Sequence, residues 1–315
     1  MKNIFIKRII IGLVFGIISL WGVHAQEAKP DLVLEKELRG LVQDFKGFAG
    51  IYVYNLKTRT EAGVNADSIF PTASIVKIPI LAGLFNKIEK GDLTLNDTLI
   101  YNKERVYGGS GLMQFFKDST RTDLRTAASL MIGYSDNVTS IWSQELAGGG
   151  VEINKLMEEL GLKNTRVNSR TPGREDLWET YGWGQTTPRE MASLLIRMRN
   201  RELVSEAASD EMYRMMANSF YTDYALSLIP PYVQAAAKQG MVNKSRSELV
   251  MVNAPGGDYV FYIATKDNED TSWTYDNEAW ILQRKISALL WNYFEPGNNW
   301  QPAKNADNLV RGLKY

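Results

Sequence analysis

Three short clusters hold the side chains with which this chain could do chemistry: Ser74-Ile75-Val76-Lys77, Ser135-Asp136-Asn137 and Lys238-Gln239-Gly240. At i and i+3 on a helical turn, the Ser74 hydroxyl and the Lys77 amine share one face and lie within reach of each other. The apolar run that follows, to about Lys87, predicts a helix opened by Ser74. A helix N-terminus favours developing negative charge, and a buried lysine loses its proton readily, so the pair fits a nucleophile and its base. Ser74 is also an ordinary helix cap, as Ser135, Asp136 and Asn137 could be. In the functional reading Ser135 shuttles a proton and Asn137 offers an amide for gripping a substrate amide. Lys238-Gln239-Gly240 follows the small-residue segment Val233-Gln234-Ala235-Ala236-Ala237, which predicts a strand. Gly240 there would let another backbone or a ligand approach closely, and Lys238 could fix a substrate carboxylate.

What the chain lacks narrows the chemistry further. It has no cysteine, and its single histidine is His24. Residues 1–25 have the build of a signal peptide: Lys2, Lys7 and Arg8, an apolar run from Ile9 to Trp21, then Val23-His24-Ala25 with small-residue spacing for cleavage. A retained membrane anchor is the alternative, although the run is short against the ~20 residues of a span. Either way the working part lies outside the cytoplasm, periplasmic or secreted, and the leader has no lipobox cysteine. After cleavage no imidazole and no thiol remain. A Ser-His-Asp triad, a Cys-His dyad and His-ligated zinc are thereby excluded, and any base must be Lys, Glu, Asp or Tyr. Ser-Lys chemistry requires no metal or organic cofactor, and none is expected. The leader takes three of the 36 Lys and Arg and none of the 36 Asp and Glu, so the remainder is mildly acidic and offers nothing to nucleic acid. No 18-residue apolar stretch follows Ala25, so no membrane contact is expected once the leader is gone.

The elements that must position the three clusters are legible in outline. Leu34, Leu38, Leu41, Val42 and Phe45 fall at helical spacing. Ala49–Tyr54 and Thr60–Val64 flank a turn-prone segment and predict a hairpin; Glu248–Val252 and Tyr259–Thr265 predict a second around Asn253-Ala254-Pro255-Gly256-Gly257-Asp258. A last helix carries Trp280, Ile281, Ile286, Leu289, Leu290 and Tyr293. Between the hairpins the pattern is helical. Thr122 is placed to cap a helix through Ile132 and Asn137 one through Leu146, while Thr187-Pro188-Arg189-Glu190 forms a capping box. Strands near both ends around a helical middle predict an α+β fold, with one antiparallel sheet from both termini and an inserted helical lobe.

In order and spacing, Phe70 to Lys77, Ser135-Asp136-Asn137 and Lys238-Gln239-Gly240 resemble the three active-site motifs of class A β-lactamases and their penicillin-binding relatives, the S-x-x-K serine hydrolases. Fainter echoes are Gly91-Asp92-Leu93, Gly108-Gly109-Ser110-Gly111 and Thr186 to Ala192. The resemblance implies a β-lactamase/transpeptidase-like catalytic domain over 26–296, with an α/β lobe at 26–70 and about 220–296, an all-helical lobe at about 71–219, and an irregular tail at 297–315. By the same resemblance Ser74 attacks a carbonyl, Lys77 takes its proton and Ser135 passes one to the leaving nitrogen. Lys238 holds the substrate carboxylate, Asn137 binds the acylamide group, and the backbone N–H groups of Ser74 and Met241, next to Gly240, form the oxyanion hole. The substrate implied is a small β-lactam or a cell-wall peptide.

Two departures bear on that reading. Gln239 stands where the family has Thr or Ser, so a hydroxyl to the substrate carboxylate is lost and only an amide could replace it. The family's deacylating Glu would fall near Thr171, which is no base; Glu175 or Asp176 could serve only through a rearranged loop, and are otherwise solvated acids paired with Arg170 or Arg174. Four functions therefore stand side by side: a β-lactamase acting through a Ser74 acyl-enzyme, a D-alanyl-D-alanine peptidase of the penicillin-binding type, an esterase on the same scaffold, and a silent penicillin-binding module.

Overall fold

The structure, a computed structural model, describes residues 28–304; the expected leader at 1–25 and the end of the expected tail, 305–315, lie outside the described residues. The chain opens with β1 (Lys29–Pro30), α1 (Leu32–Val42), β2 (Phe48–Asn55), β3 (Thr60–Val64) and β4 (Phe70–Pro71). The lobe that follows holds α2 (Lys77–Glu89), β5 (Thr98–Ile100), β6 (Arg121–Asp123), α3 (Leu124–Gly133), α4 (Asn137–Leu146) and α5 (Gly149–Glu159). It continues with β7 (Arg166–Val167), α6 (Glu175–Tyr181), β8 (Gly184–Thr186), α7 (Pro188–Arg199) and α8 (Glu206–Met216). The chain then returns as β9 (Ala235–Val242), β10 (Ser245–Val252), β11 (Tyr259–Lys266) and α9 (Glu278–Phe294).

The main sheet runs β1-β3-β2-β11-β10-β9, so strands from the two ends of the chain meet where β2 pairs antiparallel with β11. Its alternating side chains feed two cores, as a pleated strand requires. Ile51, Val53, Val250, Phe261 and Ile263 pack with Leu34, Leu38, Ile286 and Leu290 of α1 and α9. Tyr52, Leu249, Met251, Val260 and Tyr262 face the helical lobe. At the centre of that lobe lies α2, every residue of which from Lys77 to Phe85 is buried. A helix apolar on all sides must be enclosed, and each large side chain so placed contributes about 1.5–3 kcal/mol. The lobe is helical except for two short antiparallel ladders, β5-β6 and β4-β8-β7.

Several local expectations are corrected. Thr122 lies inside β6, and Asp123 caps α3 by accepting from the Thr126 N–H at 2.7 Å. Asp136, not Asn137, caps α4. In both places the carboxylate is the stronger acceptor for an orphan N–H, which frees the neighbouring side chain. Thr187 does cap α7, but Glu190 does not close the box: its carboxylate accepts from the N–H groups of Lys163, Asn164 and Thr165. Residues 73–76 form a 3-10 turn before α2 begins at Lys77, so Ser74 sits in a tighter turn than expected. The third cluster lies within β9 rather than after a strand ending at Ala237.

Candidate active site

Ser74 is displayed by a constrained turn. Ala73 before it has a left-handed φ of 44°, and Thr72 is fixed on both sides, its N–H donating to Gly184 and its carbonyl accepting from Ile75, each at 2.9 Å. Edge strand β9 packs directly on this turn. A Cβ at Gly240 would stand 2.4 Å from the Thr72 carbonyl oxygen, so only glycine allows the two backbones to close. That approach brings Ser74 and Met241 to one cleft of ≈ 490 Å³.

Beneath Ser74 the lysines of the first and third clusters meet at Ser135. The Lys77 Nζ lies 2.8 Å from Ser74 Oγ, 2.8 Å from the Ser135 carbonyl, 3.2 Å from Ser135 Oγ and 2.9 Å from Asn137 Oδ1. Lys238 Nζ donates to Ser135 Oγ at 3.0 Å and to the Gln239 carbonyl at 2.9 Å. Both lysines are fully enclosed. Burial pushes the Lys77 amine down to about 7, with the Asp136 carboxylate pulling the other way. Burial, and then the nearby Lys77, hold Lys238 well below the usual lysine range. A neutral Lys77 satisfies its surroundings: two N–H groups go to the Ser135 carbonyl and Asn137 Oδ1, and the lone pair accepts from the Ser74 hydroxyl. That is the arrangement of a base already in contact with its nucleophile.

The second cluster owes its geometry to Asp136. Its buried carboxylate accepts from Thr139 at 2.9 Å, Leu112 at 2.6 Å and Met113 at 2.7 Å, fixing both the start of α4 and the loop facing it. Ser135 is held at φ 53°, which turns its hydroxyl between the two lysines. Asn137 donates to the Gly108 carbonyl at 3.1 Å, and a Cβ at Gly111 (φ 111°) would come within 2.4 Å of Asp136. The Gly108–Gly111 segment is therefore shaped to cover the second cluster.

Gln239 lines the cleft, yet its amide is engaged: Nε2 donates to the Tyr221 carbonyl at 2.8 Å and to Ser219 Oγ at 3.2 Å. Behind it, paired across the sheet, Glu248 is fully buried and accepts from the Ala225 N–H at 2.7 Å; desolvation pushes its carboxyl up to about 7. Sequence reasoning missed Asp136 as an organiser, since its type signalled only a cap. It also missed Tyr221, Tyr224, Trp183 and Trp273, which line the cleft without any motif.

The two acids considered for deacylation are not brought to Ser74. Glu175 and Asp176 are exposed in the first turn of α6, with Glu175 accepting from the Gly173 N–H at 3.1 Å. The neighbouring arginines are engaged elsewhere: Arg174 donates to Asn168 and Gln185, and Arg170 lies over the Tyr107 ring. Thr171 is buried, donates to the Ser169 carbonyl at 3.1 Å and packs on Gly150. Among the described residues no Asp or Glu lines the cleft, and no group of three or more His, Cys, Asp or Glu could hold a metal ion.

Comparison with known proteins bears on this site. PER-1, an extended-spectrum β-lactamase of Pseudomonas aeruginosa, is 22% identical over 91% of this chain and 99% of its own; VEB-1, a β-lactamase of the same organism, is 21% identical over 92% and 98%. The structure of PBP-A superposes with a TM-score of 0.76 at 26% identity, covering 86% of this chain and 98% of that one. A class A β-lactamase from Bacteroides cellulosilyticus superposes at 0.74 with 20% identity, over 86% of this chain and all of that one. The family model described as the β-lactamase enzyme family matches residues 33–294, a span that contains all three clusters and every strand from β2 to β11. With Ser74 at the cleft backed by buried Lys77, Ser135 and Lys238 on that fold, this protein belongs to the β-lactamase enzyme family and is a serine hydrolase.

Proposed function

We propose that the protein opens the β-lactam amide through an acyl-enzyme on Ser74, in the manner of a class A β-lactamase, and that breakdown of this acyl-enzyme is the slower step. The contact that carries the reading is the 2.8 Å approach of the buried Lys77 Nζ to Ser74 Oγ at the edge of the cleft. Neutral Lys77 takes the hydroxyl proton as Ser74 Oγ bonds to the carbonyl carbon. The C–N bond breaks, and Ser135 Oγ, within 3.2 Å of Lys77 Nζ and 3.0 Å of Lys238 Nζ, gives the leaving nitrogen a proton that Lys77 replaces. The Ser74 and Met241 N–H groups stabilise the oxyanion, a contribution of roughly 3 kcal/mol per donor. As an ammonium, Lys238 would have one N–H beyond those to Ser135 and Gln239 for a substrate carboxylate; Asn137 and the Gly240 backbone border the acyl group, and Gln239 also holds the Tyr221 segment. Water then hydrolyses the ester without a carboxylate in the cleft to activate it.

A second reading, a peptidase of D-alanyl wall peptides, is favoured by that carboxylate-free cleft; a lasting acyl-enzyme also has a counterpart in the L158E mutant of PBP-A, solved as an acyl-enzyme with penicillin G. Release of D-alanine from a D-alanyl-D-alanine pentapeptide, measured beside penicillin hydrolysis, separates the two. Faster penicillin hydrolysis supports the β-lactamase, and D-alanine release alone supports the peptidase. The leader read in residues 1–25 would place either activity outside the cytoplasm, and no helix among the described residues is long and apolar enough to cross a membrane.

A further inference from the structure

Behind one wall of the cleft lies a guanidinium that acyl transfer at Ser74 does not use. Arg246, across the sheet from Met241, is fully buried. It donates to the carbonyls of Val242, of Asn243 at 3.1 Å and of Ser245 at 3.0 Å, and through Nη2 to Ser272 at 3.1 Å. Among the described residues it forms no ion pair; instead its plane lies over two indoles, 4.4 Å from the Trp273 centroid and 5.0 Å from that of Trp280. Burying a cation without a direct ion pair, with Asp270 acting on it only from a distance, is costly, and what this one secures is the junction of the β9-β10 turn with the segment carrying Trp273. Trp273 is left half-buried, and its free part lines the cleft.

The facing rings are fixed as firmly. Gln239 holds the Tyr221 carbonyl, and Glu248 holds the Ala225 N–H next to Tyr224, whose ring stacks on Trp280 at 5.0 Å. Tyr221 Oη meets Ser110 Oγ at 2.7 Å. The cleft thus has a preset aromatic side, and among the described residues no Asp, Glu, Lys or Arg lines it. A rigid apolar wall binds a flat ring with little ordering cost, and a charged substituent laid against these rings, away from Lys238, would lose its water without a partner.

We propose that Trp273, with Tyr221 and Tyr224, forms a subsite for an aromatic, uncharged substituent of the acyl donor, and that Arg246 is the positioning residue that presents Trp273. This rests on the reading of Ser74 as nucleophile, and the test keeps the two apart. Calorimetric binding to the Ser74→Ala protein is compared for benzylpenicillin, which carries a phenyl ring, and 6-aminopenicillanic acid, which carries none; adduct formation on the unaltered protein is followed separately. The expected result is about tenfold tighter binding of the ring-bearing ligand, reduced to within about twofold by adding Trp273→Ala. Adding Arg246→Lys should lower that ratio while sparing the ringless ligand. Equal binding of both ligands overturns the subsite, and an Arg246→Lys loss shared equally by both overturns the positioning role. A ring preference without any adduct would instead leave the subsite standing and remove Ser74 as nucleophile.

Discussion

The floor of the cleft and the loop from Thr165 to Trp183 beside it present very different chemistry to Ser74. On the floor, two buried lysines, the Ser135 hydroxyl and the Asn137 amide are linked: Lys77 Nζ reaches Ser135 Oγ at 3.2 Å and Asn137 Oδ1 at 2.9 Å, and Lys238 Nζ reaches Ser135 Oγ at 3.0 Å. On the loop, Thr171 turns onto Gly150, Glu175 and Asp176 face solvent, and among the described residues only Trp183 reaches the cleft. Making an acyl-enzyme requires a base touching the hydroxyl; breaking it requires a base holding a water. The floor supplies the first tool and the loop supplies no carboxylate for the second, so the two halves of the reaction should respond to different mutations.

The largest effect should come from the floor. Lys77→Met is expected to slow acylation of Ser74 by about 10²–10⁴-fold. In the unaltered protein the acylation rate should rise with pH through about 7, as the buried amine loses its proton, and the variant should lose that rise. Rapid-quench mass analysis across pH reads both. Next comes the support of the floor. Asp136→Ala leaves three N–H groups without their acceptor, those of Met113 and Thr139 buried, and should lower unfolding stability by about 3 kcal/mol in urea titration, loosening Asn137 with it.

A smaller effect belongs to Glu248. Its carboxyl titrates near 7 in the folded protein against 4.5 for an ordinary glutamate, so between those values the unfolded chain is ionised while the folded one keeps its proton. Folding stability should therefore fall as pH rises through this window, and the penalty is complete above about 7. Glu248→Gln should be no more stable than the parent at pH 4 and more stable by roughly 1–3 kcal/mol at pH 8, by thermal unfolding. The smallest effect is expected on the loop. Glu175→Gln with Asp176→Asn should leave the lifetime of the acyl-enzyme unchanged within about twofold; a lifetime several-fold longer would show that the loop does act on the ester, and the contrast with the floor would fail.

The floor was legible in the sequence because its key contact is local: Ser74 and Lys77 are three positions apart, and helical geometry joins them. The hairpins were legible from alternation, which one buried face imposes on Ile51, Tyr52 and Val53. What escaped were choices between adjacent candidates and contacts distant in sequence. Asp123 outcompetes Thr122 as a cap because a carboxylate accepts more strongly, and Glu190 leaves its capping box for three loop N–H groups that no local pattern reveals. The aromatic side of the cleft was illegible because its contacts are distant in sequence: Trp273 packs on Arg246, and the Tyr221 segment is held by Gln239 and Ser110. Gln239, expected as a possible ligand for substrate, lines the cleft and at the same time ties down the Tyr221 carbonyl through its amide, a second role that its place in the motif did not reveal.

The most direct test of the contrast is intact-mass spectrometry of residues 26–315 mixed with benzylpenicillin, followed from seconds to hours beside product formation, with Ser74→Ala as control. A one-to-one adduct that maps to Ser74, forms faster than it decays and is absent from the control is the predicted result. Rapid product release with no accumulating adduct, or an adduct that persists in the control, would contradict it.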